Sequence, residues 1–548
     1  MKRTDNISDK LNQAREYELV TGDSVQESER PVFHFTPRIG WLNDPNGLSF
    51  YKGQYHLFYQ YHPYNTYWGP MHWGHAVSSD LIRWEYRPAA LGPDQKYDQD
   101  GCFSGSAVTL EDGRQMLMYT SCLKDGNDPR GLGRYYQSQS LALLDENGEY
   151  AKYEGNPVIR REDLTEGTDE YEFRDPFLWK EKDGTYRALV AAGALDPTKG
   201  TKLLLFRSED GLHWESADVF FEDTRRIGIM WECPNFFRLG EKSILIASPM
   251  DMIAEANEAN GSIRFPQGNN VCYVPGSFLE ETEKFVPDHE ISGHYLYEPV
   301  DEGLDFYAPQ TMELPNGRRV MIGWMQNPKT ANLEDNGRRE LGFFGQMTVP
   351  RELSYEGGRL IQWPVKELEA YRREKTEIGS VTISSEWETL PEIRGRILEL
   401  DLRICAEKGC PKVGIRIASD GRYYTELSFE PKRSLLTIDR THAGRGVCGD
   451  GEAAGTMVPE LNVCKETANE TESAVGSETI NKRTVQVKNR GGAIDLKILL
   501  DRWSVEVFVN NGEQVLSASL YTDPDAQDIL FRADGKAEMD IIQYKLEK

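Results

Sequence analysis

Three acidic residues stand in short segments crowded with aromatics, turn formers and proline. They are Asp44 in Trp41-Leu42-Asn43-Asp44-Pro45-Asn46-Gly47, Asp175 in Phe173-Arg174-Asp175-Pro176, and Glu232 in Trp231-Glu232-Cys233-Pro234. Carboxyl groups gathered in a walled pocket can divide labour: one attacks an electrophilic carbon, while another, kept protonated by burial and by its neighbours, hands a proton to a departing oxygen. Cleavage of a glycosidic bond needs that pair, and a third acid can hold the sugar ring. Taken alone, Trp41–Gly47 reads equally well as a turn, because Asn, Asp, Pro and Gly are the residues that turns select. The placement of the three along a repeat favours chemistry.

That repeat is a glycine turn followed by a short apolar strand. It occurs at Gly53-QYHLFYQ, Gly113-RQMLMYT, Gly184-TYRALVA, Gly240-EKSILIA and Gly317-RRVMIGW. Shortly before each turn comes a polar and aromatic segment: Asn43-Asp44, Phe103-Ser104, Arg174-Asp175, Glu232-Cys233 and Asp305-Tyr307. A four-stranded blade takes about 40–50 residues plus loops, so five units over residues 31–355 predict a five-bladed β-propeller whose innermost strands bring all five segments to one channel. Ser79-Asp-Leu-Ile-Arg-Trp84 and Ser208-Glu-Asp-Gly-Leu-His-Trp214 echo one another as an outer-strand signature.

Residues 1–30 are polar and read as a peripheral extension. Residues 356–378 read as a connector, helical over Trp363–Glu374, and the alternating runs of 379–548 read as a β-sandwich, making the chain all-β. Within it, 444–482 has little apolar content and reads as a long mobile loop. The formal net charge of -26 leaves no basic stripe for phosphates, which argues against nucleic acid and anionic membranes as partners and suits an uncharged small molecule. With no apolar leader or spanning stretch, and with eight scattered cysteines, the expectation is a soluble cytoplasmic protein with reduced thiols. It would act as a monomer or as a homo-oligomer joined through the sandwich. No metal or organic cofactor is expected. Asp94, Asp98 and Asp100 hint at a calcium loop but miss the EF-hand order, and read instead as a solvated acidic loop.

In order and in wording, the three acidic motifs resemble glycoside hydrolase family 32, the invertase, sucrose-6-phosphate hydrolase and fructanase family. The resemblance covers roughly residues 31–548, and Leu42 stands where the family commonly has Met. It implies a propeller followed by a sandwich, and retaining release of terminal β-fructofuranosyl units from sucrose, sucrose 6-phosphate or short fructo-oligosaccharides. It further implies Asp44 as nucleophile, Glu232 as acid/base and Asp175 as stabiliser. Trp41, Asn43, Gln60, Trp68, Phe103, Ser104, Arg174 and Trp324 match the family's sugar contacts, with Tyr307 a weaker match. For the aromatics the plain alternative is blade core, for Gln60 and Ser104 backbone satisfaction, and for Arg174 a structural partner of Asp175. The competing functions are a fructosyltransferase, a non-catalytic sugar-binding propeller, and an inverting arabinanase or xylosidase.

Overall fold

The computed structural model describes residues 8–126, 133–196, 198–215, 217–331, 339–444 and 480–548. Five sheets follow one another, each built of antiparallel strands in chain order from its leading strand outward, with the short strand Phe343–Phe344 added in parallel to the inner side of the first. The leading strands are Gly40–Tyr51, Gly101–Thr109, Thr168–Lys180, Trp231–Leu239 and Tyr307–Glu313. Each turns into its second strand at one of the repeat glycines. Gly53, Gly113, Gly184, Gly240 and Gly317 all have φ between 61° and 94°, a conformation that a side chain disfavours. The leading strands pack side by side in a closed ring, the fifth against the first. Between them run side-chain bridges in place of a ladder: the Ser106 hydroxyl donates to Pro176 O at 2.8 Å, and the Asn235 amide donates to Pro309 O at 2.9 Å.

Two six-stranded antiparallel sheets follow, and their facing sides bury one apolar core that includes Leu398, Ile415, Leu427, Ile498, Val507 and Phe531. Their first strand, Arg372–Ile383, pairs with the last, Ala537–Leu546. The expected connector is therefore shorter than 356–378. Arg359–Pro364 is the outer strand of the fifth sheet, and only a 3-10 turn at Lys366–Tyr371 separates it from Arg372. Strand pairing on both sides leaves no room for the helix expected over Trp363–Glu374.

Three further expectations change. The N-terminal segment is not merely peripheral: the helix Asp9–Thr21 docks on Trp84–Leu91, the edge strand of the first sheet. There Arg15 Nε donates to Ala89 O and Glu18 Oε1 accepts from Ala89 N, both at 2.8 Å, so two side chains satisfy an edge that would otherwise be open. The Ser79–Trp84 and Ser208–Trp214 echo is a shared turn, not an outer strand. Asp80 accepts from the N–H groups of Ile82 and Arg83, Asp210 from those of Leu212 and His213, and positive φ falls at Leu81 and Gly211. The acidic loop is not solvated, since the Lys152 ammonium lies 2.6 Å from Asp94 and 2.5 Å from Asp98, whose side chain is fully buried. Of the expected mobile loop 444–482, residues 445–479 lie outside the described residues, and Lys482–Gln486 is a strand.

The C-terminal sheets join the ring through buried charges. His34, just ahead of the first leading strand, meets Asp501 through Nδ1 and Glu506 through Nε2, each at 2.9 Å with all three side chains fully buried. Glu506 also accepts from Arg351 of the fifth sheet.

Candidate active site

Every leading strand breaks its ladder at the same point. The register with the second strand slips between Leu42 and Pro45, Phe103 and Gly105, Glu232 and Asn235, and Tyr307 and Gln310, with the matching slip in the third sheet at Asp175-Pro176. In four of the five the bulged step ends in proline: Asp44-Pro45, Asp175-Pro176, Cys233-Pro234 and Ala308-Pro309. Proline has no N–H to waste where pairing has stopped. Asp175, Cys233 and Ala308 sit at φ of 64°, 48° and 46°. A narrow void among the bulges is lined from all five sheets, by Pro45, Gly105, Pro176, Pro234 and Pro309 together with their neighbours, Ser104, Asp175 and Cys233 included.

The three acids converge there. The Cys233 thiol lies 3.6 Å from Asp44 Oδ2 and 3.6 Å from Asp175 Oδ2, and the Cys233 N–H donates to Asp175 at 2.9 Å. Asp44 is held from two sides: Ser104 Oγ donates to Oδ2 at 2.6 Å and Asn43 Nδ2 to Oδ1 at 3.0 Å. Trp41 Nε1 in turn donates to Asn43 Oδ1 at 2.7 Å, which fixes the amide's orientation. Arg174 spans the other two acids, with Nε 3.1 Å from Glu232 Oε1 and 4.0 Å from Asp175 Oδ2, and it also binds Glu172. The Tyr307 hydroxyl donates to Glu232 Oε2 at 2.6 Å.

A family model described as "Glycosyl hydrolases family 32 N-terminal domain" matches residues 34–364, and one described as "Glycosyl hydrolases family 32 C terminal" matches residues 367–546. The chain belongs to glycosyl hydrolases family 32. Among the similar proteins, a sucrose-6-phosphate hydrolase of Escherichia coli is 32% identical, with 92% of each chain covered. A levanase of Bacillus subtilis is 32% identical over 93% of this chain and 69% of its own. A solved Bombyx mori GH32 beta-fructofuranosidase superposes with a TM-score of 0.76 at 28% identity, covering 98% of both chains, and a mutant of it was solved in complex with sucrose.

Electrostatics in this family-32 enzyme follow from burial around one cation. Burial raises the pKa of Asp44, and the donors Ser104, Asn43 and Cys233 oppose the rise by stabilising its carboxylate. Burial also raises Asp175, to about 7, against the pull of Arg174 and with the push of Glu232 and Asp44. Glu232 is raised by burial and by Asp44, against Arg174 and the Tyr307 hydrogen bond. Acids coupled this closely share protons, so the cluster retains at least one where isolated carboxyls would have lost theirs.

The remaining expected sugar contacts fall into two groups. Trp68 and Phe103 are half-buried and meet edge to face at 6.1 Å, leaving ring surface open beside Ser104. Trp41 and Trp324 instead form a buried pair at 5.8 Å, and Gln60 is buried with its amide donating to Cys102 O at 3.0 Å, so these three back the site. Sequence reasoning missed Glu172, Thr120 and Gln139 as parts of it, and placed Cys233 in the channel without giving it a role. Thr120 Oγ1 accepts from the Asp175 N–H at 2.9 Å and donates to Gln139 at 2.8 Å. No local signal marks it, because Tyr119 and Ser121 on either side carry hydroxyls too. Glu172 was legible as the residue two before Arg174, on the same strand face.

Proposed function

We propose that the five sheets are the blades of a propeller and the two six-stranded sheets a β-sandwich, and that the enzyme hydrolyses terminal β-fructofuranosyl bonds with retention. Asp44 attacks the anomeric carbon while Glu232 protonates the departing oxygen. Glu232 then deprotonates the water that releases the covalent fructosyl-enzyme, and Asp175 with Arg174 holds ring hydroxyls. The observation that carries the reading is the wiring of these three carboxyls into one cluster, Asp175 buried and Asp44 and Glu232 half-buried. Retention needs the nucleophile and acid/base carboxyls about 5–5.5 Å apart. The Cys233 thiol beside Asp44 supports that closeness, because Glu232 is its neighbour in the chain. Two bonds favour the ionised form of Asp44 against the burial that opposes it, which suits a nucleophile, and its charge favours a proton on Glu232, which suits an acid.

Sucrose, sucrose 6-phosphate and short fructans are the proposed substrates, as the names of the relatives indicate. A cytoplasmic setting is supported by the free thiols of the six described cysteines. The test is product analysis on sucrose, sucrose 6-phosphate, kestose, inulin and levan in parallel, with the anomer of the first product followed by NMR. β-Fructose released first from at least one of them is the expected result. Release of α-fructose first would replace the mechanism with an inverting one, and growth of fructose chains in place of free fructose would make the enzyme a transferase.

A further inference from the structure

The fifth leading strand enters the acid cluster in the grip of the C-terminal domain. Just ahead of Tyr307 the chain runs along the edge strand Gln514–Ser519. The N–H of Glu302 donates to Val515 O at 2.8 Å, and those of Leu304 and Asp305 donate to Ser517 O at 2.8 and 3.0 Å. The fully buried Asp305 carboxylate then accepts from the Ser519 N–H at 2.7 Å and from the guanidinium of Arg440. Arg440, itself 1% exposed, also donates to Ser519 O at 3.2 Å. It follows the strand Leu435–Asp439 of the second six-stranded sheet, so one carboxylate ties both C-terminal sheets to a point two residues from Tyr307. On the other arm of the same hairpin, Trp324 pairs with Tyr307, and Ser519 Oγ donates to Gln326 at 3.0 Å. A buried ion pair is costly to desolvate and adds little stability beside backbone bonds already made; what it adds is a fixed direction.

We propose that Asp305, held by Arg440, is a positioning residue: it fixes the start of the fifth leading strand so that the Tyr307 hydroxyl meets Glu232, which makes the C-terminal domain part of the machinery that sets when Glu232 is protonated. This rests on Glu232 being the proton donor. Glu232 is faced by Arg174, Glu172 and Asp175 from the third sheet, Asp44 from the first and Tyr307 from the fifth. Of these, Tyr307 is the neutral donor whose aim depends on Asp305.

The basic limb of kcat/KM against pH reads the acid in the free enzyme. A donor to Glu232 stabilises its carboxylate, so losing the donor moves that limb to higher pH. Tyr307→Phe should shift it up by about one to two pH units. Asp305→Asn should shift it the same way by about half that, Arg440→Lys by less, and the Asp305→Asn/Tyr307→Phe pair no further than Tyr307→Phe alone. Arg440→Lys keeps the buried charge and carries the test where Asp305→Asn fails to fold. Folded Asp305→Asn or Arg440→Lys enzyme with its limb in the parent's place and only a lower thermal midpoint would overturn the proposal, as would shifts that add in the double variant. Activity retained in Glu232→Gln, or an unmoved limb in Tyr307→Phe, would overturn the assignment of Glu232 itself and the coupling with it.

Discussion

Ser104→Ala isolates what the second sheet contributes to the nucleophile. The Ser104 hydroxyl sits 2.6 Å from Asp44 Oδ2, it is buried, and it is the foremost of the donors that offset the burial of that carboxylate. A hydrogen bond to a charged group contributes about 1.5–3 kcal/mol, and one pH unit corresponds to about 1.4 kcal/mol, so its loss should raise the Asp44 pKa by about 1–2 units. Asp44 attacks as a carboxylate, so activity must fall as pH drops through its pKa. The acid limb of kcat/KM should therefore move up by about 1–2 units, and on the parent's acid shoulder the variant should be slower by about tenfold or more. On the plateau, where both enzymes hold Asp44 ionised, the loss should be much smaller. The assay is glucose release from sucrose across the acid and neutral range, with circular dichroism to confirm the fold. An equal loss at every pH with the limb unmoved would refute the reasoning, because Ser104 would then act on the sugar and not on Asp44.

Asp44→Asn should lose almost all turnover. Glu232→Ala should lose most with poor leaving groups and be partly rescued by azide, which attacks the fructosyl-enzyme without needing a base; failure of azide to form a fructosyl azide in the folded variant counts against that role. The His34 pKa is raised from 6.5 to about 9, since its bonds to Asp501 and Glu506 outweigh the burial that opposes them. Its stabilisation of about 3 kcal/mol is therefore whole below pH about 6.5 and lost as pH rises through about 9. In a chain this long that is about 3 °C of Tm if it melts as one unit, and the pH-dependent difference from His34→Gln measures it. Activity should survive chelation, since carboxyls supply both nucleophile and proton; abolition by EDTA with recovery on one added ion would show otherwise.

The five hairpin glycines and the three acids were legible because each is a local demand: positive φ for a turn, a carboxyl for a charge. The connector differs from its expected form because the charged stretch Trp363–Glu374 looks helical by composition, while the partners of the strands at its two ends, Arg351–Glu356 for Arg359–Pro364 and Ala537–Leu546 for Arg372–Ile383, are fixed only by the folded sheets. The buried contacts of His34 with Asp501 and of Asp305 with Arg440 join residues far apart in the chain, and no local pattern marks either member as a partner. The residue-proline step that recurs at four of the five bulges was visible but easily passed over. Ala308-Pro309 carries no acid, and in the second sheet Ser104-Gly105 replaces it, glycine relieving the same crowding in another way: a Cβ at Gly105 would lie 2.0 Å from Met118 O.

The repeated bulge explains why this ring can hold reactive groups at all. A regular leading strand would alternate its side chains between the two packed neighbours, and a carboxyl on such a strand would be either neutralised against the next sheet or hidden in it. Breaking the ladder at one point per sheet instead lets side chains of different sheets meet, as Asp44, Asp175 and Glu232 do. Positive φ at Asp175 and Cys233 costs of order 1–3 kcal/mol each, and such strain persists only where the surroundings over-determine it. Here they do: the Asp175 N–H is taken by Thr120, the Cys233 N–H by Asp175, and the prolines that follow need no partner. The same bonds that hold the strain also fix how far apart the acids stand. Relaxing one bulge should therefore displace its neighbour's carboxyl as well as its own, and Thr120→Val, which removes the bonds of one hydroxyl to the backbones of Asp175 and Ser104 and to Gln139, should lower kcat through Glu232 and Asp44 although it touches neither carboxyl.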